Sequence, residues 1–222
     1  MASAKGRIVR LVAGSRLERA TVVSAQQIGE FRRLVIRCKV ESIAPGSKVQ
    51  LLLPSDDVRT YSPLQAPEGM ILLGWTGTIG PGASWLAKAR EGDEVPYLGP
   101  KRSLDLPSGP VILVGDETSV AMAASYEGER PGQVKAIIQS HSSSIGEASE
   151  SLGLAAVDVV APGDTNATVD QVLAALRAWP QATVALTGGS DLVVSVRETL
   201  RTGDVSAIKT KAYWIRGKQG LD

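Results

Sequence analysis

Three neighbouring side chains in the first half of the sequence suit a ligand that carries both a phosphate and a flat ring. The residues read Arg59-Thr60-Tyr61-Ser62 and directly follow an apolar, strand-like stretch. Arg59 offers a guanidinium fork for a phosphate, the ring of Tyr61 can lie against another ring, and the Ser62 hydroxyl suits the edge of a heterocycle. The pattern indicates a flavin nucleotide. The alternative interpretation is an exposed Arg beside a half-buried Tyr at the end of a strand.

A glycine-rich stretch shortly downstream strengthens the first interpretation. Residues 80–85 read Gly-Pro-Gly-Ala-Ser-Trp and lead into a helix that we predict over residues 84–89. Small residues such as Gly82, Ala83 and Ser84 let backbone amides approach an anion, and the helix dipole favours negative charge at the same place. We therefore expect this segment and Arg59 to hold opposite ends of one pyrophosphate cofactor.

Five motifs follow one another along the chain. They are Arg-x-Tyr-Ser at residues 59–62, Gly-Pro-Gly-Ala-Ser-Trp at 80–85, Gly-Asp at 92–93 with Gly-Pro-Lys-Arg at 99–102, Gly-Asp-Glu-Thr at 115–118, and Ala-Tyr-Trp-x-Arg-Gly at 212–217. Their order and rough spacing resemble those of siderophore-interacting proteins, which belong to the ferredoxin-reductase-like flavoproteins. The resemblance implies an antiparallel FAD-binding β-barrel over residues 1–106, followed by a parallel-sheet α/β domain over residues 107–222 that binds NAD(P)H.

The resemblance also implies an activity. A protein of this family takes a hydride from NADPH or NADH onto FAD and reduces ferric iron inside a siderophore, which releases Fe(II) in the cytoplasm. The flavin supplies this chemistry, so no catalytic acid or base is expected. Two alternatives remain open: a generic flavin or redox-protein reductase of the same superfamily, and a non-enzymatic binding module that has lost FAD.

Some residues depart from the family pattern. Leu64 and Gln65 stand where a second Arg is common, and Gly74-Trp75 stand where many members have a His-Gly pair. The segment before Arg59 is also short for the family. These departures bear on FAD affinity and on substrate access more than on the fold.

Composition narrows the function classes. The chain has 222 residues and a formal net charge of +1, so it lacks the strongly basic balance of a nucleic-acid-binding domain. No stretch approaches the roughly 20 apolar residues of a membrane span, and we expect a cytoplasmic protein that is a monomer or weak dimer. Cys38 and His141 are the only residues of their types, so no metal site is expected. We interpret Cys38 as a core or sheet residue, with a redox role as the alternative.

The spacing of apolar residues predicts two kinds of architecture. Short strands separated by Gly, Pro and Ser turns indicate a barrel in the first half, with strands at residues 20–24, 31–40, 49–53, 70–75 and 94–98. In the second half buried strands alternate with helices, with strands at 110–114, 133–139, 155–160 and 183–186 and helices at 118–125, 145–151, 169–178 and 191–200. Such alternation indicates a doubly wound sheet, whose ligands bind at the carboxyl ends of the strands.

Two strand ends in the second half supply further candidate cofactor-binding residues. Asp116 and Thr118 lie where the first of these strands turns into a helix, and we expect Thr118 to cap that helix. Gly188 lies in a Gly-Gly pair that permits close approach of the backbone to a cofactor, although the family generally has Gly-Glu there. By resemblance to the superfamily, Trp214 stacks against part of the isoalloxazine ring; the alternative is that it fills the seam between the domains.

Basic residues are the candidates for the substrate. Ferric siderophores are bulky and often anionic, so the receiving surface should be open and basic. We assign this role to Lys101, Arg102, Lys209 and Lys211, with solvated surface as the alternative.

Overall fold

The chain folds into two compact units. The computed structural model describes residues 17–154, 156–203 and 205–217. The first unit ends at Ser103, three residues before the predicted end of the first domain at residue 106, and the second unit begins at Leu104.

The first unit is a seven-stranded antiparallel sheet with one helix. Its elements are β1 (Glu18–Ile28), β2 (Phe31–Arg37), β3 (Ser47–Leu52), β4 (Val58–Tyr61), β5 (Leu64–Ala66), β6 (Gly69–Trp75), α1 (Pro81–Lys88) and β7 (Glu94–Arg102). The strand order is β4-β3-β7-β1-β2-β6-β5. Because β4 at one edge also contacts β6 next to the other edge, the sheet curls around its core. The predicted antiparallel barrel is confirmed.

Apolar side chains from several strands meet inside this curled sheet. Leu34 of β2 lies directly opposite Leu72 of β6, and both are fully buried. Leu51 of β3 and Tyr97 of β7 are paired in the same way across their two strands. Burial of large side chains is the main favourable term that holds such a sheet together.

Several boundaries in the first unit differ from the prediction. The strand predicted at residues 20–24 is the much longer β1, and β7 continues to Arg102 instead of ending at residue 98. Strand β2 ends at Arg37, so Cys38 lies just beyond it, half-buried against the core, where burial raises the pKa of its thiol. β4 and β5 were not predicted, because their few residues are too polar and too short to show alternation. Pairing with β3 and β6 creates them.

The second unit is a five-stranded parallel sheet with helices between the strands. Its strands are β8 (Val111–Asp116), β9 (Val134–Gln139), β10 (Val157–Val160), β11 (Thr183–Gly189) and β12 (Ile208–Trp214), in the order β10-β9-β8-β11-β12. A 3₁₀ turn (Glu117–Ser119) leads into α2 (Val120–Glu129), followed by α3 (Ile145–Glu150), α4 (Thr165–Ala178) and α5 (Ser190–Thr202). The predicted parallel-sheet α/β fold is confirmed.

The strand order of this unit determines where a ligand would bind. From β8 the chain moves outward to β9 and β10, and then returns to β11 on the other side of β8. The connections therefore diverge at the carboxyl ends of β8 and β11, which is the position where open α/β sheets bind ligands. Asp116 ends β8, and Gly188 and Gly189 end β11.

Two differences in this unit have clear causes. Helix α4 begins at Thr165 instead of residue 169, because the Asp164 carboxylate accepts a hydrogen bond of 2.9 Å from the Ala167 amide and caps the helix early. β12 was not predicted, and Trp214 lies in this edge strand rather than in a terminal turn. Its charged residues hide the strand pattern. The predicted start of β10 includes Ala155, which lies outside the described residues.

Candidate functional site

Helix α1 begins with its first-turn amides available to an anion. Gly80 precedes the helix, Pro81 opens it, and no side chain caps it. The Ser84 amide donates to the Gly80 carbonyl oxygen at 2.9 Å, and Pro81 has no N–H. The amides of Gly82 and Ala83 are therefore the first-turn donors that point along the axis of the helix.

The structure brings Arg59 and Tyr61 of β4 against this helix start. A Cβ atom on Gly82 would lie 3.3 Å from the Arg59 Cγ and 3.3 Å from the Tyr61 hydroxyl oxygen. Real Cβ atoms rarely have such close neighbours, so only glycine leaves the space open. The Tyr61 ring also lies 6.4 Å from the Trp85 ring, centroid to centroid.

Arg59 already has an acidic neighbour that the sequence did not reveal. Its Nη1 lies 3.6 Å from Asp57 Oδ1 and donates to the Val58 carbonyl oxygen at 2.8 Å. Asp57 is buried, and its other oxygen accepts from the Ser55 hydroxyl at 2.8 Å. The ion pair is loose, so the remaining guanidinium donors of Arg59 stay suited to a phosphate. The one signal in the sequence is the position of Asp57 two residues before Arg59.

Tyr61 is held as a neutral hydrogen-bonding group. Burial raises the pKa of its phenol, and the nearby Arg59 charge lowers it by a smaller amount. Ser62, directly after β4, is half-buried, whereas Ala83 is buried and Ser84 is exposed on α1. At the start of α1, Ala83 therefore presents its backbone amide and not its buried side chain.

In the second unit the predicted residues gather around one carboxylate. Asp116 Oδ1 accepts from the Thr118 amide at 2.9 Å and from the Thr118 hydroxyl. Asp116 Oδ2 accepts from the Gly189 amide at 2.7 Å and from the indole Nε1–H of Trp214 at 2.9 Å. We call these four residues the Asp116 clamp. It joins the carboxyl ends of β8, β11 and β12.

Two glycines allow the clamp to close. Gly188 has a φ of +95°, and a Cβ atom there would lie 2.5 Å from Asp116 Oδ2. A Cβ atom on Gly189 would lie 2.6 Å from the Trp214 ring. The Gly-Gly pair therefore accommodates the carboxylate and the indole of this protein.

The clamp corrects the predicted role of Thr118. Thr118 does not cap the following helix; Asp116 caps the 3₁₀ turn by accepting from the Thr118 amide. The hydroxyl of Thr118 also donates a hydrogen bond to Asp116, because the carboxylate lies directly over the turn. Gly189, which the sequence-based prediction missed as a donor, has no side-chain signal because it acts through its backbone.

The loop after β9 is also internally bonded. The buried Ser140 hydroxyl donates to Glu117 at 2.7 Å and accepts from the Ser142 amide at 2.9 Å. His141 is exposed in this loop. Among the residues that the structure describes, possible metal-ligating side chains do not gather in groups of three.

The basic candidates fall into two separate pairs. Lys101 and Arg102 are exposed at the end of β7, where Lys101 lies opposite Lys48 of β3. Lys209 and Lys211 alternate along β12, so they share one face of that edge strand. Within the described ranges no helix is long and apolar enough to cross a membrane.

An antiparallel barrel followed by a parallel sheet of this order defines the ferredoxin-reductase-like fold, and solved structures share it. The siderophore-interacting protein from Acinetobacter baumannii is similar with a TM-score of 0.70 and 16% identity, over 90% of this chain and 91% of that chain. A siderophore utilization protein from T. fusca is similar with a TM-score of 0.64 and 20% identity, over 93% and 95%. The Plasmodium falciparum ferredoxin-NADP⁺ reductase is similar with a TM-score of 0.67 and 10% identity, over 90% and 97%.

These likenesses establish the fold. No protein-family model matches the chain, and no curated protein sequence matches it. The resemblance to siderophore-interacting proteins that the motifs indicated is thus confirmed at the level of the fold.

Proposed function

We propose that this protein is a flavin-dependent reductase that takes a hydride from NADPH or NADH and reduces ferric iron held in a siderophore. The observation that carries the proposal is the grouping of Arg59 and Tyr61 around the uncapped start of α1 at Gly82. The fold and its solved neighbours support the same class of reaction.

The residues of the first unit fit FAD. A pyrophosphate needs a cation, hydrogen-bond donors and room for close approach, and Arg59, the neutral Tyr61 hydroxyl and the first-turn amides at Gly82 and Ala83 supply them. Ser62, half-buried directly after β4, is our candidate for a hydrogen bond to the edge of a heterocycle. Bound FAD would supply the hydride and one-electron chemistry, while these side chains bind and orient it.

The carboxyl edge of the parallel sheet is the proposed nicotinamide site. It lies where the connections of β8 and β11 diverge, and Asp116, Thr118, Gly188 and Trp214 all meet there. Helix α5 begins at this edge with no side-chain cap, so its first-turn amides can receive a phosphate of the dinucleotide. Either nicotinamide nucleotide is compatible with this edge.

We assign the binding of the electron acceptor, a ferric chelate, to residues chosen for their positive charge. Lys101 and Arg102 in the first unit and Lys209 and Lys211 in the second are exposed or half-exposed cations, and they suit an anionic ferric chelate. Steering by such residues raises the rate of encounter more than the strength of binding.

The test follows the flavin by visible absorption. The purified protein is titrated with FAD, reduced anaerobically with NADPH or NADH, and then mixed with a ferric siderophore. We expect a bound-flavin spectrum that bleaches with the nucleotide and returns with the chelate. Failure to take up FAD at micromolar concentration would reject the proposal and leave a binding role on a reductase-like fold.

The acceptor needs its own comparison. The reoxidation rate is measured with the ferric siderophore, free flavin and a small redox protein at equal concentration. A siderophore reductase should prefer the ferric chelate. Preference for free flavin or for the redox protein would instead identify a general reductase of the same superfamily.

A further inference from the structure

Asp116 has no capacity left for a ligand. An ionised carboxylate offers about four acceptor positions. In this protein it accepts from the Thr118 amide and hydroxyl, from the Gly189 amide and from the Trp214 indole. The side chain is buried, and none of these three partners is charged. Its hydrogen bonds therefore all serve the protein itself.

Trp214 is the partner whose position depends most on this carboxylate. It lies on the edge strand β12, opposite Gly189, with 40% of its surface exposed. The six-membered ring of the indole lies against Gly189, where a Cβ atom would come within 2.6 Å of it. The Nε1–H bond to Asp116 fixes the rotation of the ring, and the exposed part of the indole lies at the carboxyl edge of the sheet.

We infer that Asp116 is a positioning residue, which acts by holding the Trp214 indole as a fixed wall of the nicotinamide site. The inference rests on the proposed function, because it takes a nicotinamide nucleotide as the ligand. In this arrangement Trp214 contacts the nucleotide, and Asp116 does not. A planar ring of the nucleotide would pack on the exposed part of the indole. Because the indole is already held in one rotamer, binding would not have to order it, and this favours affinity.

The key variant is Trp214→Phe, because it keeps an aromatic ring and removes the N–H. It leaves Asp116 with its bonds to Gly189 and Thr118. We expect the Kd for NADPH or NADH to rise about 5- to 10-fold, because a ring that is no longer held in one orientation must be ordered when the nucleotide binds. Trp179→Phe is the matched control, since this half-buried Trp packs against the core of the same unit, and its Kd should stay unchanged.

The double variant separates positioning from direct binding. Asp116→Ala removes both acceptor oxygens, so adding Trp214→Phe to it should cause no further loss of affinity. If Asp116 instead bound the nucleotide directly, the two losses would add, and the inference would be wrong. Equal affinity of Trp214→Phe and wild type would overturn it as well.

Fluorescence gives a readout without ligand. The emission of Trp214 is obtained as the difference between wild type and Trp214→Phe. In Asp116→Ala, where the emission of Trp214 is obtained as the difference from the double variant, it should shift to longer wavelength and become more accessible to acrylamide. An unchanged spectrum would contradict the clamp. Wild-type protein that takes up FAD but binds no nicotinamide nucleotide would reject the proposed site itself. Binding by wild type and Trp214→Phe alike rejects only the positioning role.

Nucleotide fragments show which ring meets the indole. Nicotinamide mononucleotide and AMP are titrated separately against the Trp214 emission. Quenching by one of them identifies the half of the dinucleotide at the wall. Quenching by neither, in a protein that binds the whole nucleotide, would overturn the assignment of Trp214 as the contact.

Discussion

Replacement of Gly82 by Ala should weaken the binding of FAD much more than it lowers the stability of the protein. The added Cβ would lie 3.3 Å from the Arg59 Cγ and the Tyr61 hydroxyl oxygen, and 3.5 Å from the Arg59 Cδ. These neighbours must move by a few tenths of an ångström. Ala in a helix gains about 1 kcal/mol over Gly, and mild overpacking costs about 1–3 kcal/mol. The free energy of unfolding should therefore fall by about 0–2 kcal/mol.

The effect on FAD should be larger. The methyl group occupies the space between the helix start and the two side chains proposed to bind the pyrophosphate. Loss of one charge-assisted hydrogen bond costs about 1.5–3 kcal/mol, which corresponds to a roughly 10- to 150-fold rise in Kd. The assay is a titration of the apoprotein that follows quenching of flavin fluorescence, with urea unfolding measured in parallel.

Gly146→Ala is the matched control. Gly146 is the second residue of α3, as Gly82 is of α1, and a Cβ atom there meets no atom within 4 Å. This variant should bind FAD as wild type does. If Gly82→Ala also binds FAD with wild-type affinity, the region between Arg59, Tyr61 and α1 is not the pyrophosphate site, and the reasoning is refuted.

Gly188→Ala should lower the free energy of unfolding by at least about 2 kcal/mol, because a positive φ and an overlap with the clamp carboxylate act together. Gly153→Ala, at a φ of +80° with no atom within 4 Å, measures the backbone cost alone, and an equal loss in both would contradict the overlap. Replacing Lys209 and Lys211 by Gln should slow reduction of an anionic ferric chelate about 2- to 10-fold at low salt and flatten its salt dependence, while a neutral chelate is unaffected. Because burial raises the pKa of Tyr61 above its ordinary value of 10.0, its contribution to stability is complete below pH 10 and is lost as the pH rises further. Tyr61→Phe should therefore lose less stability than wild type between about pH 10 and 12. If the free energy of unfolding falls equally with pH in both proteins, the phenol is not buried.

The sequence by itself determined the fold class, and it supplied the candidate residues for the chemistry. Alternation of period two and strand–helix alternation depend on local patterns, so the barrel and the parallel sheet could be predicted. Helix α1 was predicted from residue 84 but begins at Pro81, three residues earlier. Arg59 and Gly82 could be chosen as candidates from the sequence, because a guanidinium and a missing side chain are properties of single residues. These predictions needed no knowledge of distant contacts.

Only the tertiary structure decided what Asp116 does. Its partners Gly189 and Trp214 lie far along the chain, and one of them acts through a backbone amide that no residue type reveals. β12, which carries Trp214, exists because it pairs with β11 at the edge of the sheet. Hydrogen bonds between remote segments depend on how strands come together, and this is why the sequence did not reveal that Asp116 accepts a hydrogen bond from the protein's own indole.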